Sequence, residues 1–477
     1  MNFKRPIKIV FNLILLFTAI LFSATNASAS DGHEIKLRIV GLHDTIIYFG
    51  NHFGDKQYVS DTVKVDHNGN VVVKGKDNLE GGIYLIVMPN KTYFEIVVNE
   101  QKFSIETDTS DFYGKMKVTG SQDNTIFRDY QVFMSNSSKK IAELRTRLDK
   151  NKVKADSTAA IKEQINALDK EVKDYRLKLM DDYNPKLFFP TVIRAISEPE
   201  IPEAPKNPDG SKDSTFAFKY FKAHFWDKVD FCDPRLLRTP VLYNKIKQYI
   251  TNLTVQDPDS IDISVDTIIE RSKCNKEVFK YCVAWLTNNY ETSPIMGFDK
   301  IFVHLAEKYY LTDEAYWADS TLKAKIKERV EKITPNILGT PAYNLLMQDT
   351  NYVTRPLYDV KAKYTVLIFW DPTCSHCKVE VPKLALLYDS IKTKGVEVYG
   401  VGIESDLEEW KKFIREKKLK WINVTDIYNK TKFRDFYDIY STPVIFLLDE
   451  NKKIIAKRLD VDTLRDFLKR LLNEKKK

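Results

Sequence analysis

Residues 366–384 read VLIFWDPTCSHCKVEVPKL. Together with Tyr364 and Thr365, the opening YTVLIFW is a continuous apolar run, the pattern of a strand buried on both faces of a sheet. After Asp371-Pro372-Thr373 the pattern turns helical, and CKVEVPKLALLYDSIKTKG carries it forward. Cys374 and Cys377 stand at this strand-to-helix turn with two residues between them. Such a pair can grip a metal, staple a loop or exchange electrons, and the surrounding chain decides among them.

Downstream the α/β pattern continues. VEVYGVGIE reads as a second buried strand, DLEEWKKFIREKKL as a helix and WINVTD as a short strand. KFRDFYDIYS is a helix or turn, TPVIFLLDENKKIIAKRL a hairpin around Asp449-Glu450-Asn451, and VDTLRDFLKRLL a closing helix. A parallel β-α-β half followed by a hairpin and a helix is expected over residues 336–477.

Upstream the patterns differ. Over residues 30–120, IKLRIVG, TIIYFGN, VVVKG, GIYLIVMP and YFEIVVN are short runs separated by turn signals such as DHNGN. They predict an antiparallel β sandwich or open barrel. His33, His43, His52 and His67 are scattered there and read as exposed or structural. Over residues 121–335 the period is helical. Two long charged segments flank NKVKAD and predict an antiparallel helical hairpin, and 198–213 is the clearest loop. Aromatic stripes in KEVFKYCVAWLTNNY and PIMGFDKIFVHLAEKYY face a core, with His304 among them as a core histidine.

At 477 residues the chain predicts several domains, and 43% hydrophobic residues suffice to fill their cores. Lys4, Arg5 and Lys8, the apolar stretch that follows, and Ala27-Ser28-Ala29 predict a secretory signal peptide over residues 1–29. Its loss would take the formal charge from +8 to +5, since it carries three basic and no acidic residues. Acidic and basic residues alternate elsewhere, so nucleic-acid binding is not expected.

Export places the five cysteines in an oxidising compartment. Cys274 and Cys282, if both on one helix, would lie about 12 Å apart along its axis, too far to bridge. A helix capped at Asn275 would free Cys274, and Cys232 can pair with either or stay reduced. Cys282 reads as a buried thiol.

A zinc site needs two further ligands that no second C-x-x-C supplies. A staple across two residues gains little from loop closure. A thiolate at Cys374, by contrast, gains from the free N–H groups and partial positive charge of a helix N-terminus. Cys377 is then placed to resolve a mixed disulfide.

Phe369-Trp370, Cys374-Ser375-His376-Cys377, Glu380, Pro382 and Thr442-Pro443 together resemble the thioredoxin superfamily. The nearest group is the exported thiol–disulfide oxidoreductases related to cytochrome c maturation and thiol-specific-antioxidant proteins. The resemblance implies a thioredoxin-like α/β domain with Cys374 as nucleophile and Cys377 as resolving thiol. It further implies that His376 tunes the thiolate and Glu380 moves protons, while Trp370, Thr442 and a cis Pro443 form the substrate surface. Ile368 stands where many thioredoxins carry a buried Asp, and Asp371 departs from the Thr or Ser of peroxiredoxins. The preceding β and helical regions resemble uncharacterised domains of exported proteins. The leader and the resemblance together imply a periplasmic enzyme, membrane association, protein thiol or disulfide clients and a membrane electron donor; no metal or cofactor is implied, and the long helical hairpin is a candidate homodimer surface. A scaffold protein with an idle thioredoxin-like domain is the alternative.

Overall fold

The computed structural model describes residues 32–150, 155–181, 184, 186–206, 209–403 and 406–473. The expected leader, 1–29, and most of the turn expected at 151–156 lie outside the described residues.

The first region holds β1 (His33–Val40), β2 (Thr45–Phe53), β3 (Lys56–Val65), β4 (Asn70–Gly75), β5 (Gly82–Val87), β6 (Tyr93–Val98), β7 (Lys102–Asp108) and β8 (Lys117–Thr119). They form two sheets, ordered β4-β1-β7-β8 and β3-β2-β5-β6. In β1, Ile35, Leu37 and Ile39 are buried while Lys36, Arg38 and Val40 face out, the period-two pattern of a strand with one wet face. These residues meet Ile47, Phe49, Phe94 and Ile96 of the other sheet in one core. The sequence predicts an antiparallel sandwich, and here the structure differs. β1 and β7 run parallel, from Glu34 opposite Lys102 to Val40 opposite Asp108. Parallel neighbours need a long crossover, and here the second sheet supplies it. Of the four scattered histidines, His52 is buried and bonded to Glu95 at 3.2 Å. His67 is exposed against Asp44.

The second region contains α1 (Gln122–Lys150), α2 (Ala155–Asp181), α3 (Phe189–Ile196), α4 (Phe216–His224), α5 (Pro240–Asn252), α6 (Pro258–Ser272), α7 (Lys276–Glu291), α8 (Asp299–Leu305) and α9 (Ser320–Ile333). Tyr130 of α1 stacks on Tyr175 of α2, and Phe133 meets the same ring, so the long pair packs as a hairpin. The buried carboxylate of Asp123 accepts from the backbone N–H groups of Phe188 and Phe189, at the start of α3, and from Asn99 after β6. It thereby ties the hairpin, the β6–β7 turn of the sandwich and the helical core together. The stripe of α7 is inward: Val278, Phe279, Cys282, Val283 and Leu286 are buried. His304 differs from expectation. It is half-buried and bonded to Asp266 at 3.0 Å, because a carboxylate stands within reach at the rim of the core.

Cys232 and Cys274 form a disulfide with Cα atoms 5.3 Å apart. Asn275 caps α7 through the N–H groups of Glu277 and Val278, so Cys274 precedes the helix and is free to turn toward Cys232. Cys282 remains a free buried thiol.

The third region is one seven-stranded sheet with helices. Its elements are β9 (Leu346–Asp349), β10 (Thr354–Pro356), β11 (Tyr364–Trp370), α10 (Ser375–Ile391), β12 (Val396–Gly402), α11 (Leu407–Lys417), β13 (Ile422–Thr425), α12 (Phe433–Phe436), β14 (Val444–Leu448), β15 (Ile454–Lys457) and α13 (Val461–Asn473). The strand order is β10-β9-β13-β12-β11-β14-β15. β11 pairs parallel with β12 and antiparallel with β14. All seven of its residues are buried. Val366, Ile368 and Trp370 pack under α10 and α13 on one face, and Leu367 and Phe369 join a second core on the other. The expected hairpin is β14–β15.

The second and third regions meet through charge. The ammonium of Lys457, buried at the end of β15, pairs with Asp299 of α8 and donates to the carbonyl of Asn336. No helix among the described residues is long and apolar enough to cross a membrane.

Candidate active site

β11, an interior strand, delivers the chain to the C-terminal end of the sheet, and the turn after it is set by Asp371. Its carboxylate accepts from the Thr373 N–H at 2.7 Å and from the Thr373 hydroxyl, an Asx-type turn. Cys374 then occupies the N-cap of α10 in extended geometry. The sulfur of Cys374 is partly accessible and that of Cys377 is buried; neither is in a disulfide. β14 lies against β11, with Val444 opposite Phe369. That register sets the preceding residues, Thr442 and Pro443, beside the cysteines. The Thr442–Pro443 peptide is cis, as the resemblance implied, and Cys374 Sγ donates to the Thr442 carbonyl at 3.3 Å.

The two thiols are electrostatically unlike. Burial by itself would raise the Cys374 pKa, but backbone N–H groups of Cys377 and His376 in the first turn of α10 outweigh it and hold the thiol below its ordinary value. Burial pushes Cys377 up to about 12, against the opposing hydrogen bond from the Asp371 N–H. The accessible sulfur is therefore the more acidic of the two, and the buried one keeps its proton near neutral pH.

Beside the pair opens a cleft of about 490 Å³, lined among others by His376, Glu380, Thr442, Pro443, Tyr440 and Arg458. His376 is exposed on its rim. Glu380 is mostly covered, and both its oxygens are engaged. One meets the Lys383 ammonium at 2.7 Å, and the other accepts the Val461 N–H at 3.1 Å, the first residue of α13. Pro382 lies inside α10, which continues past it. Trp370 departs from the expected substrate surface. It is fully buried and packs against Phe413, because as the last residue of β11 it faces the core under α10. The sequence reading missed Asp438, Tyr440 and Arg458, which also line the cleft. Asp438 and Arg458 adopt positive φ, a conformation no glycine signalled. Among the described residues no cluster of His, Cys, Asp and Glu is arranged to hold a metal ion.

Comparison with known proteins agrees with this geometry. Residues 338–457 match the AhpC/TSA family. Residues 146–336 and 33–127 match two families described as domains of unknown function, DUF5106 and DUF4369. The thiol-disulfide oxidoreductase ResA of Bacillus cereus is 29% identical over 126 residues, covering 26% of this chain and 72% of that protein. ResA of Bacillus subtilis is 30% identical over 117 residues, covering 24% of this chain and 64% of its own length. Among solved structures, a domain of a possible thiol-disulfide isomerase from Cytophaga hutchinsonii is 50% identical. That match covers 29% of this chain and 96% of the other, with a TM-score of 0.28. The acidified and the buried thiol, the cis-proline loop and the family match converge on residues 338–457, so the C-terminal part of this chain is a thioredoxin-like domain of the AhpC/TSA family and belongs with the thiol–disulfide oxidoreductases.

Proposed function

We propose that the protein works in the periplasm and exchanges disulfides with protein clients through the Cys374–Cys377 couple. The observation that carries this reading is the asymmetry of the pair: an accessible, acidified sulfur at a helix N-cap beside a buried, protonated one. In the reducing direction the Cys374 thiolate attacks one sulfur of a client disulfide. The S–S bond breaks, and the other client sulfur leaves as a thiolate that takes a proton from solvent. Cys377 then loses its proton and attacks Cys374 Sγ, which expels the second client thiol. The client gains two electrons and two protons, and the Cys374–Cys377 disulfide forms. Oxidation of a client runs the same steps backwards.

Glu380, in the same cleft, is assigned to receive the Cys377 proton, and His376 to add positive charge near the Cys374 thiolate when protonated. Thr442 and Pro443 dock the client backbone. Trp370 contributes from beneath, as a wall of the core rather than a client contact. The leader sequence supports the periplasmic assignment, a membrane electron donor is the assigned source of reducing equivalents, and the long α1–α2 hairpin is the surface we assign to a homodimer. The division into a β domain to residue 120, a helical domain to 335 and the catalytic domain after it belongs to the same reading.

The test is equilibration of the mature protein in glutathione buffers, with thiol trapping of both cysteines. The expected result is a reversible two-electron transition. A midpoint below about −250 mV assigns a reductant, and one above about −180 mV an oxidant or isomerase. A pair that cannot be cycled sinks the reading.

A further inference from the structure

The loop that carries Thr442 and Pro443 is held from outside its own domain. Arg329, on α9 of the helical region, donates through Nη1 to both carboxylate oxygens of Asp438 at 3.1 Å and to the Tyr440 hydroxyl at 3.2 Å. The Asp438 carboxylate is almost completely buried, with 4% of its side chain exposed, and it also receives Arg458 Nη2 at 2.7 Å. Its backbone is in the left-handed region, with φ of 53°, a conformation that costs free energy for a residue other than glycine and needs surrounding contacts to hold it. A second bond, from the turn that follows α9, supports the approach to this loop: Asn336 Nδ2 donates to the Phe436 carbonyl at 2.8 Å. The Arg329 and Lys332 cations lie over the exposed Tyr440 ring, 5.9 and 6.0 Å from its centre.

These contacts form a short physical chain. α9 grips Asp438 and Tyr440; these residues open the segment that ends in Thr442 and Pro443; and the Thr442 carbonyl receives the Cys374 thiol. Tyr440, Thr442, Pro443 and Arg458 line the cleft next to the nucleophile. A charge that is buried and held by two guanidinium groups is costly to leave half-paired.

We propose that Arg329 is a positioning residue for client docking. The helical region, whose family match names no function, sets the geometry of the client-binding loop chiefly through this side chain, without touching the reacting sulfurs. The proposal rests on the thiol-exchange reading above. A loop that must pair with an extended client backbone has to stay in register, and small displacements there are expensive. A small disulfide takes no backbone pairing from the loop, so its reaction at Cys374 is far less sensitive to the loop's register than docking of a protein client.

The experiment compares two substrates in the full chain. Dithiothreitol-driven insulin reduction supplies KM and kcat for a protein client, and the rate of reaction with cystamine reports on Cys374 alone. For Arg329→Ala the expected result is an insulin KM raised about tenfold, with kcat and the cystamine rate unchanged. Arg329→Lys keeps the charge but carries it on a shorter stem and without the planar guanidinium, so its KM should fall between the two. If the alanine variant fails to fold, the lysine variant carries the same test. An insulin KM equal to wild type overturns the proposal. So does a cystamine rate that falls in parallel, since that marks general disturbance of the domain. Wild-type protein that reduces cystamine but not insulin also refutes it, whereas wild type inert toward both refutes the thiol-exchange reading itself.

Discussion

Two cysteine pairs share this chain and have opposite fates. Cys232 and Cys274 are 42 positions apart and are joined; Cys374 and Cys377 are nearly adjacent and are open. The distant pair closes a long loop, and the chain-entropy account gives such a closure about 4 kcal/mol. The near pair would gain little that way. What it receives is a helix N-terminus on one side and burial on the other, which separate the two thiol pKa values. Sequence separation thus distinguishes the joined pair from the open one, and the elements around each pair complete the division.

The comparison breaks most sharply at Cys374. Cys374→Ser should reduce insulin-reducing activity to the uncatalysed rate, while Cys377→Ser should still attack and accumulate a mixed disulfide with the client, visible on a non-reducing gel. Replacing both Cys232 and Cys274 with Ser should leave insulin reduction intact and lower unfolding free energy by about 4 kcal/mol in a urea titration. Loss of exchange activity in that variant would erase the distinction between the pairs.

The open pair can be sharpened by pH. Because the Cys374 shift is downward, its thiolate is present where a free cysteine, with pKa of about 8.5, is still mostly protonated. Iodoacetamide labelling of Cys374, resolved by peptide mass, should therefore reach its plateau at lower pH than labelling of free cysteine. Cys377, pushed up to about 12, should stay unlabelled throughout that range. The smallest effect belongs to the frame of the closed pair. Asn275→Ala removes the cap of α7 and should cost about 1 kcal/mol, read from the same titration.

What was legible in the sequence follows from how local each signal is. β11 announces itself because all seven residues are apolar or buried on a two-sided sheet, and the turn from Cys374 into α10 is written in consecutive residues. The β14–β15 hairpin is equally local. β3 left no trace, because nearly every one of its residues is exposed and no alternation arises. The parallel pairing of β1 with β7 joins segments more than sixty positions apart, and no short pattern encodes that. The same holds for the site. Both cysteines and Pro443 could be found by motif, but Arg329 reaches Asp438 across 109 positions. Trp370 was misplaced because a motif tells which residue stands at the end of a strand, and only packing tells which face it takes.

Lys457 has a consequence for anyone who treats the C-terminal domain as a portable module. Its ammonium is covered by Asp299 and Asn336, both contributed from outside residues 338–457. Cut free in water, the domain simply hydrates this lysine. Grafted against a different helical neighbour that covers the same edge without a carboxylate, it would bury an unpaired cation, at about 3–5 kcal/mol. A chimera should therefore carry Asp299 along with the domain or exchange Lys457 for methionine, and the choice of junction matters more here than the length of the linker.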